Sequence, residues 1–385
     1  MTAPLSHSTV DELADDRADD REGVLARLPL RADLRGHAPY GAPQLEVAVR
    51  LNTNENSHPV PDAVAAAVVE AVAREAGRLN RYPDREFTAL RADLAGHLGH
   101  GVTPEAVWAG NGSNEVLQHL LQAFGGPGRT ALGFTPSYSM HALISLGTGT
   151  GWLDGVRGPG FDLTAAQAVD QVRRHRPDVV FLCSPNNPTG TALDPAVTSA
   201  VYDATDGMVV VDEAYAEFAR PGTPSALTLL PGRERLVVTR TMSKAFALAG
   251  ARLGYLAAHP AVCDALRLVR LPYHLSSLTQ AAARAALAHA DLLLATVEQV
   301  KHQRDRIAAA LPGLGLVPVP SDANFVLFGG LDDERCAWRE LLGHGVLVRD
   351  VGIAHHLRVT AGTAEETSAF LSALEKVVPA TGGTA

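Results

Sequence analysis

The sequence predicts an α/β chain: a large domain built on a mostly parallel sheet covered by helices, followed by a smaller α+β domain. Two observations carry that expectation. Short apolar runs recur at residues 106–109, 130–134, 179–183, 208–211 and 236–239, separated by helical or Gly/Pro-rich stretches, and such alternation is the pattern of strands buried on both faces. Near residues 272–277 the strand signals fade, and two long helical patterns follow at 279–290 and 291–310, which marks a change of domain.

Along the chain, residues 1–30 mix Asp11, Glu12, Asp15, Asp16, Asp19 and Asp20 with Arg and Ala. That composition suits a solvated arm or a frayed helix better than a core element. Val47, Val49 and Leu51 alternate within 46–51 as in a half-buried strand, and the Ala/Val run from Pro61, carrying Glu70, Arg74 and Glu75, reads as a helix ending near Gly77. In the C-terminal part, strands are expected at 316–319, 324–328, 346–349 and 357–360, with helices near 337–342 and 364–377. The expected organisation is an arm over 1–40, a large domain over 41–275 whose first residues, near 41–60, touch the small domain, and a small domain over 276–385.

The chain has 385 residues, 46% of them hydrophobic, enough for a substantial core. A formal charge of −9, with no long Lys/Arg run, argues against nucleic-acid or anionic-membrane partners and leaves small polar or anionic substrates open. Cys183, Cys263 and Cys336 show no Cys-x-x-Cys spacing, so neither a disulfide framework nor a metal site is expected. No basic segment followed by an apolar one opens the chain, and no apolar run is long enough for a bilayer; the expectation is a cytoplasmic protein.

Chemistry concentrates in loops that follow the apolar runs. Lys244, in Thr241-Met242-Ser243-Lys244, leaves the run at 236–239. A lysine there reacts with a carbonyl cofactor when its neighbours desolvate it; alone, it reads equally as a surface lysine starting a helix. Thr241, Ser243 and Arg252 add two hydroxyls and a bidentate cation, the set that a phosphate monoester needs. Asp212 leaves the run at 208–211, where it either pairs with a protonated pyridine nitrogen or caps a helix, and Tyr215 three residues on is in reach of a ring hydroxyl. The turn Ser184-Pro185-Asn186-Asn187-Pro188 offers Asn187 as a fixed donor to a ring oxygen. Gly112-Ser113-Asn114 opens a helical run, so its free N–H groups form either an anion site or an ordinary cap, and Tyr138 is placed to stack on a flat ring or to pack in a core.

Taken as an ordered set, these residues resemble the fold-type I pyridoxal-phosphate aminotransferases over nearly the whole chain beyond the acidic arm. Within that superfamily, Leu51-Asn52-Thr53-Asn54-Glu55-Asn56, Arg81-Tyr82-Pro83-Asp84, Ser184 to Gly190, Asp212 to Tyr215 with Glu217-Phe218, and Thr241 to Gly250 look like the histidinol-phosphate aminotransferase family. The resemblance implies pyridoxal 5'-phosphate joined to Lys244, the catalytic residue, and a homodimer with a shared active site. It also implies that Tyr82 reaches the neighbouring subunit's cofactor phosphate, that Asn54 meets substrate, and that Arg358, Arg349 and Tyr40 bind the phosphate of histidinol phosphate or the carboxylates of glutamate and 2-oxoglutarate. Two departures stand out: Asn114 replaces the family's usual Asp, and Ser57-His58 replaces the proline that commonly follows Asn-Glu-Asn. The competing sequence readings are an aromatic amino-acid aminotransferase, a pyridoxal-phosphate decarboxylase of phosphorylated amino acids, and a regulatory domain without catalysis.

Overall fold

The computed structural model describes residues 23–37 and 41–378. Two compact units divide the chain, Met1–Gly41 and Ala42–Ala385. In the first, Ala32–Leu34 forms one 3-10 turn that buries no residue; the acidic stretch and Tyr40 lie outside the described residues.

The second unit is organised around strands β2 (Val107–Asn111), β3 (Thr130–Thr135), β4 (Gly151–Val156), β5 (Val179–Cys183), β6 (Met208–Asp212), β7 (Leu236–Thr241) and β8 (Leu253–Ala258). They form a seven-stranded sheet of order β2-β8-β7-β6-β5-β3-β4. All neighbouring pairs are parallel except those of β8, which runs antiparallel to both β2 and β7. Every residue of β5 and β6 is buried, the reason their sequences are unbroken apolar runs rather than alternating ones. Because β2 and β7 both oppose β8, they share the direction of β3, β5 and β6. The carboxyl ends of all five therefore open on one edge, where ligands of open α/β sheets bind.

Helices α1 (Asp62–Ala76), α2 (Thr88–Leu98), α3 (Ser113–Phe124), α4 (Met140–Thr148), α5 (Ala165–His175), α6 (Pro195–Ala204) and α7 (Pro260–Val269) connect and flank these strands. Gly77 caps α1, where the sequence placed its end. After α7 come α8 (Ser277–Leu287) and α9 (Ala290–Ala310), the two long helices expected from the pattern.

The remaining strands form sheets of their own. β9 (Val317–Pro318), β10 (Phe325–Gly329), β12 (Arg349–Asp350) and β13 (Leu357–Thr360) make an antiparallel sheet of order β12-β13-β10-β9, while β1 (Val49–Arg50) pairs in parallel with β11 (Val346–Leu347). α10 (Glu334–Gly343) and α11 (Ala364–Val377) cover them. The strand expected over 46–51 is thus only two residues long: its partner β11 ends at Leu347, and past Leu51 the chain bends into the left-handed Asn54, φ +56°. The single strand expected over 346–349 is two, because Val346 and Leu347 pair with β1 whereas Arg349 and Asp350 pair with β13. Among the described residues no helix is long and apolar enough to cross a membrane.

Candidate active site

Lys244 lies three residues beyond the end of β7, partly buried, with Nζ donating to the carbonyl of Thr53 at 2.9 Å. Burial, then the positive charge of Arg358, lowers its pKa to about 8, with Arg252 adding to the fall and Glu55 opposing it. A fraction of the amine is therefore unprotonated and nucleophilic near neutral pH.

One strand over, Asp212 ends β6 with 1% exposure. Its carboxylate accepts from Thr239 Oγ1 at 3.3 Å and the Ala214 N–H at 3.2 Å, and meets His141 Nε2 at 3.0 Å. His141 comes from α4, is 0% exposed and stacks on Phe181 with centroids 4.6 Å apart. Its Nδ1 has no partner among the described residues, so we assign the ring proton to Nε2, donating to the carboxylate. Asp212 is thus a buried side chain at the end of β6 held by three partners, not an exposed helix cap. Behind it, buried Glu213 accepts from Arg240 Nε at 2.9 Å, Ser225 Oγ at 2.7 Å and the Ala226 N–H at 2.6 Å, and Arg240 also pairs with Glu217 at 2.8 Å. This cluster braces the segment carrying Asp212 and Tyr215.

Tyr215 Oη accepts from Asn54 Nδ2 at 2.9 Å and Asn187 Nδ2 at 3.5 Å. Burial pushes the phenol's pKa up, against the pull of Arg358 and Asn54, so its own proton stays available for donation. Asn187 in turn accepts from Arg358 Nη1 at 2.5 Å, and Arg358 Nη2 donates to the Asn52 carbonyl at 2.8 Å. Arg358 stands over the Phe325 ring at 5.1 Å. Arg349 is half-buried directly across the β12–β13 pair from Arg358.

At the start of α3, Gly112 has φ +81°, and no side chain caps the helix. A Cβ on Gly112 would lie 2.5 Å from Arg252 Nη2, so only glycine lets the guanidinium approach this helix end. Glu115 folds back to accept from the Asn111 N–H at 2.5 Å and Nδ2 at 2.8 Å, which commits its charge to the loop. Tyr138 Oη donates to Asn114 Oδ1 at 3.2 Å and its ring meets His141 edge-on at 5.4 Å. Thr241 Oγ1 accepts the Ser243 N–H at 3.1 Å and donates to the Leu253 carbonyl at 3.3 Å. Uncapped N–H groups, hydroxyls and a guanidinium thus gather at this helix start, the donor types that an anionic group needs.

Tyr82 stands apart from this set: it is 79% exposed and stacked on Tyr273 at 4.4 Å. His141, Thr360 and Asn324 were not singled out from the sequence, and the structure places all three against site residues.

The class I and II aminotransferase family model matches residues 46–374. The histidinol-phosphate aminotransferase of Paenarthrobacter aurescens is 62% identical over 360 residues, 93% of this chain and 97% of that one. That of Frankia casuarinae is 65% identical over 359 residues, 91% of this chain and 90% of that one. Among solved structures, the histidinol-phosphate aminotransferase of Sinorhizobium meliloti in complex with pyridoxal-5'-phosphate superposes with a TM-score of 0.79 at 25% identity, covering 98% of each chain. With the family model matched from residue 46 to 374, and Lys244 just beyond β7 beside Asp212 at the end of β6, the chain belongs to the class I and II aminotransferases.

Proposed function

We propose that this chain transfers the amino group of L-histidinol phosphate to 2-oxoglutarate, giving imidazole acetol phosphate and L-glutamate reversibly, in histidine biosynthesis. The observation that carries the reading is the placement of Lys244 just beyond β7 and of Asp212 at the end of the adjoining β6, close to the hydrogen-bonded set of Tyr215, Asn187 and Arg358, whose charge acts on Lys244. Relatives at 62% and 65% identity bear the histidinol-phosphate aminotransferase name and support the substrate.

The residues fit pyridoxal 5'-phosphate, because the glycine-only approach of Arg252 to the helix end makes a cradle for its phosphate. When bound, that cofactor supplies a carbonyl that takes up amines and a ring that accepts the electron pair released at the substrate α-carbon. Ser113, Asn114, Thr241, Ser243 and Arg252 hold the phosphate. Asp212, fixed by His141 and Thr239, would keep a ring nitrogen protonated, Tyr215 and Asn187 would donate to a ring oxygen, and Tyr138 would stack on the ring. Lys244 Nζ, as a free amine, would take the proton from the substrate α-carbon.

Arg358, with Arg349 across the β12–β13 pair, binds the phosphate of histidinol phosphate or the carboxylates of glutamate by charge-assisted hydrogen bonds. Exposed Tyr82 is read as reaching the cofactor phosphate of a second copy, which makes the protein a homodimer with shared sites. The division into a large domain over 41–275 and a small one from 276 belongs to the same reading and is supported by the separate sheets. So does a cytoplasmic setting, where the three free cysteines stay reduced.

Steady-state glutamate formation from 2-oxoglutarate tests the proposal, with histidinol phosphate and phenylalanine as competing donors. A kcat/KM favouring histidinol phosphate, abolished in Lys244→Ala, supports it. Preference for phenylalanine, or release of carbon dioxide without an amino acceptor, overturns it.

A further inference from the structure

Asn54 is 1% exposed in a left-handed conformation, φ +56°. Two side chains, Thr360 on β13 and Asn324 just ahead of β10, hold it there. The Asn54 N–H donates to Thr360 Oγ1 at 3.0 Å, Thr360 Oγ1 donates to Asn54 Oδ1 at 3.2 Å, and Asn324 Nδ2 donates to the Asn54 carbonyl at 3.1 Å. A hydroxyl has one proton. The Thr360 oxygen accepts from the Asn54 backbone, and its proton goes to the carboxamide oxygen. That leaves Nδ2 facing Tyr215 Oη, to which it donates at 2.9 Å.

The orientation matters because an asparagine side chain presents a donor at one end and an acceptor at the other. Turned as it is, Asn54 leaves the Tyr215 proton unclaimed. Turned by half a rotation, its oxygen would take that proton, and Tyr215 would have none to offer a ring oxygen. We propose that Thr360 is a positioning residue: its hydroxyl fixes which way round the Asn54 carboxamide sits, and so keeps the Tyr215 hydroxyl a donor toward the cofactor. Thr360 lies two residues along β13 from Arg358, on the same face of the strand. One short strand thus carries both the anion-binding arginine and the hydroxyl that sets the Tyr215 hydrogen bond.

The inference rests on the proposed pyridoxal-phosphate chemistry and deepens it. Loss of a donor at the ring oxygen makes that oxygen more basic, and the proton shared between it and the lysine-bound nitrogen is released at higher pH. The test is the pH midpoint of the visible absorbance band of the cofactor-loaded protein. Thr360→Val should raise it by about half a unit and lower kcat about three- to tenfold with little change in KM. Thr360→Ser, which retains the hydroxyl, should hold the wild-type midpoint. The groups facing Lys244 and Tyr215, namely Glu55, Arg252, Arg358, Asp212 and Cys183, are the same in all these variants.

Asn54→Gly tolerates the positive φ and removes the carboxamide, so no oxygen is left to take the Tyr215 proton and the midpoint should stay close to the wild-type value. Adding Thr360→Val to it should then change nothing more, since Thr360 acts through Asn54. A wild-type midpoint in Thr360→Val, or equal shifts in Thr360→Val and Thr360→Ser, would overturn the assignment while leaving the aminotransferase reading intact. Wild-type protein that forms no visible band with pyridoxal 5'-phosphate would overturn both.

Discussion

His141 Nε2 and Asp212 Oδ2 are 3.0 Å apart with both side chains sealed from solvent. An imidazole that donates to a buried carboxylate stabilises its charge and fixes its plane. His141→Phe keeps an aromatic ring against Phe181 but removes the donor, leaving Asp212 with only Thr239 and the Ala214 N–H. The expected cost is about 1.5–3 kcal/mol of stability, read as a lower urea midpoint at unchanged m-value, with slower turnover. An unchanged midpoint would show that the pair contributes nothing.

Lys244 gives the apoprotein a pH dependence of defined sign. Its folded pKa of about 8 lies below the ordinary 10.5, so between those values the unfolded chain binds more protons and stability rises with pH. The contribution is complete above 10.5 and is lost as pH falls through 8. Thermal melts of the apoprotein across this window should rise more steeply for wild type than for Lys244→Met; parallel curves would contradict the depressed pKa.

Gly112→Ala is expected to weaken the cofactor without unfolding the protein. The added methyl would meet Arg252 at 2.5 Å, at a backbone φ of +81° that a side chain seldom adopts. Arg252 is exposed and has room to swing away, so the damage falls on the proposed phosphate cradle. Equilibrium titration with pyridoxal 5'-phosphate should give a dissociation constant at least about tenfold higher, the loss of one charge-assisted contact. Wild-type affinity would remove the cradle from the account.

Arg358→Lys tests the anion anchor. The guanidinium bonds Asn187 and Asn52 at once, and an ammonium lacks that planar fork. KM for histidinol phosphate and for glutamate should both rise about ten- to a hundredfold. A rise for only one substrate would mean that the two anions are held by different residues.

Arg240 is the structural counterpart. It pairs with Glu213 and Glu217 in a nearly closed environment; burial by itself lowers its pKa, and the two carboxylates outweigh that and raise it. Arg240→Gln strands two carboxylates and should cost about 3–5 kcal/mol, seen as a large fall in melting temperature. A near-neutral result would mean that water reaches this cluster.

Much of this was legible in the sequence, and the gaps have physical causes. Residues 179–183 read as a strand because both faces of β5 are buried. β4 and β8 did not: β4 lies at the sheet edge, with most of its residues exposed or half-buried, and β8 is rich in Gly and Ala, which carry little strand signal. Lys244, Asp212, Tyr215 and Asn187 stood out in the sequence because each follows an apolar run. His141 did not, since it sits inside a helix and meets Asp212 only through the packing of α4 on the sheet. Thr360 looked like a strand residue, and its role lies in a hydrogen-bond direction that no spacing encodes. Tyr82 stacks on Tyr273 away from the cradle, so its expected role requires a second copy.

The central claim is that Lys244 and its neighbours form a transaminating site for histidinol phosphate. Titrating the cofactor-loaded protein with histidinol phosphate, without 2-oxoglutarate, tests it in a single half-reaction. The account requires the visible band to convert to the amine form of the cofactor at low histidinol phosphate and to persist at equal phenylalanine. Conversion by phenylalanine first, or by neither donor, would contradict it.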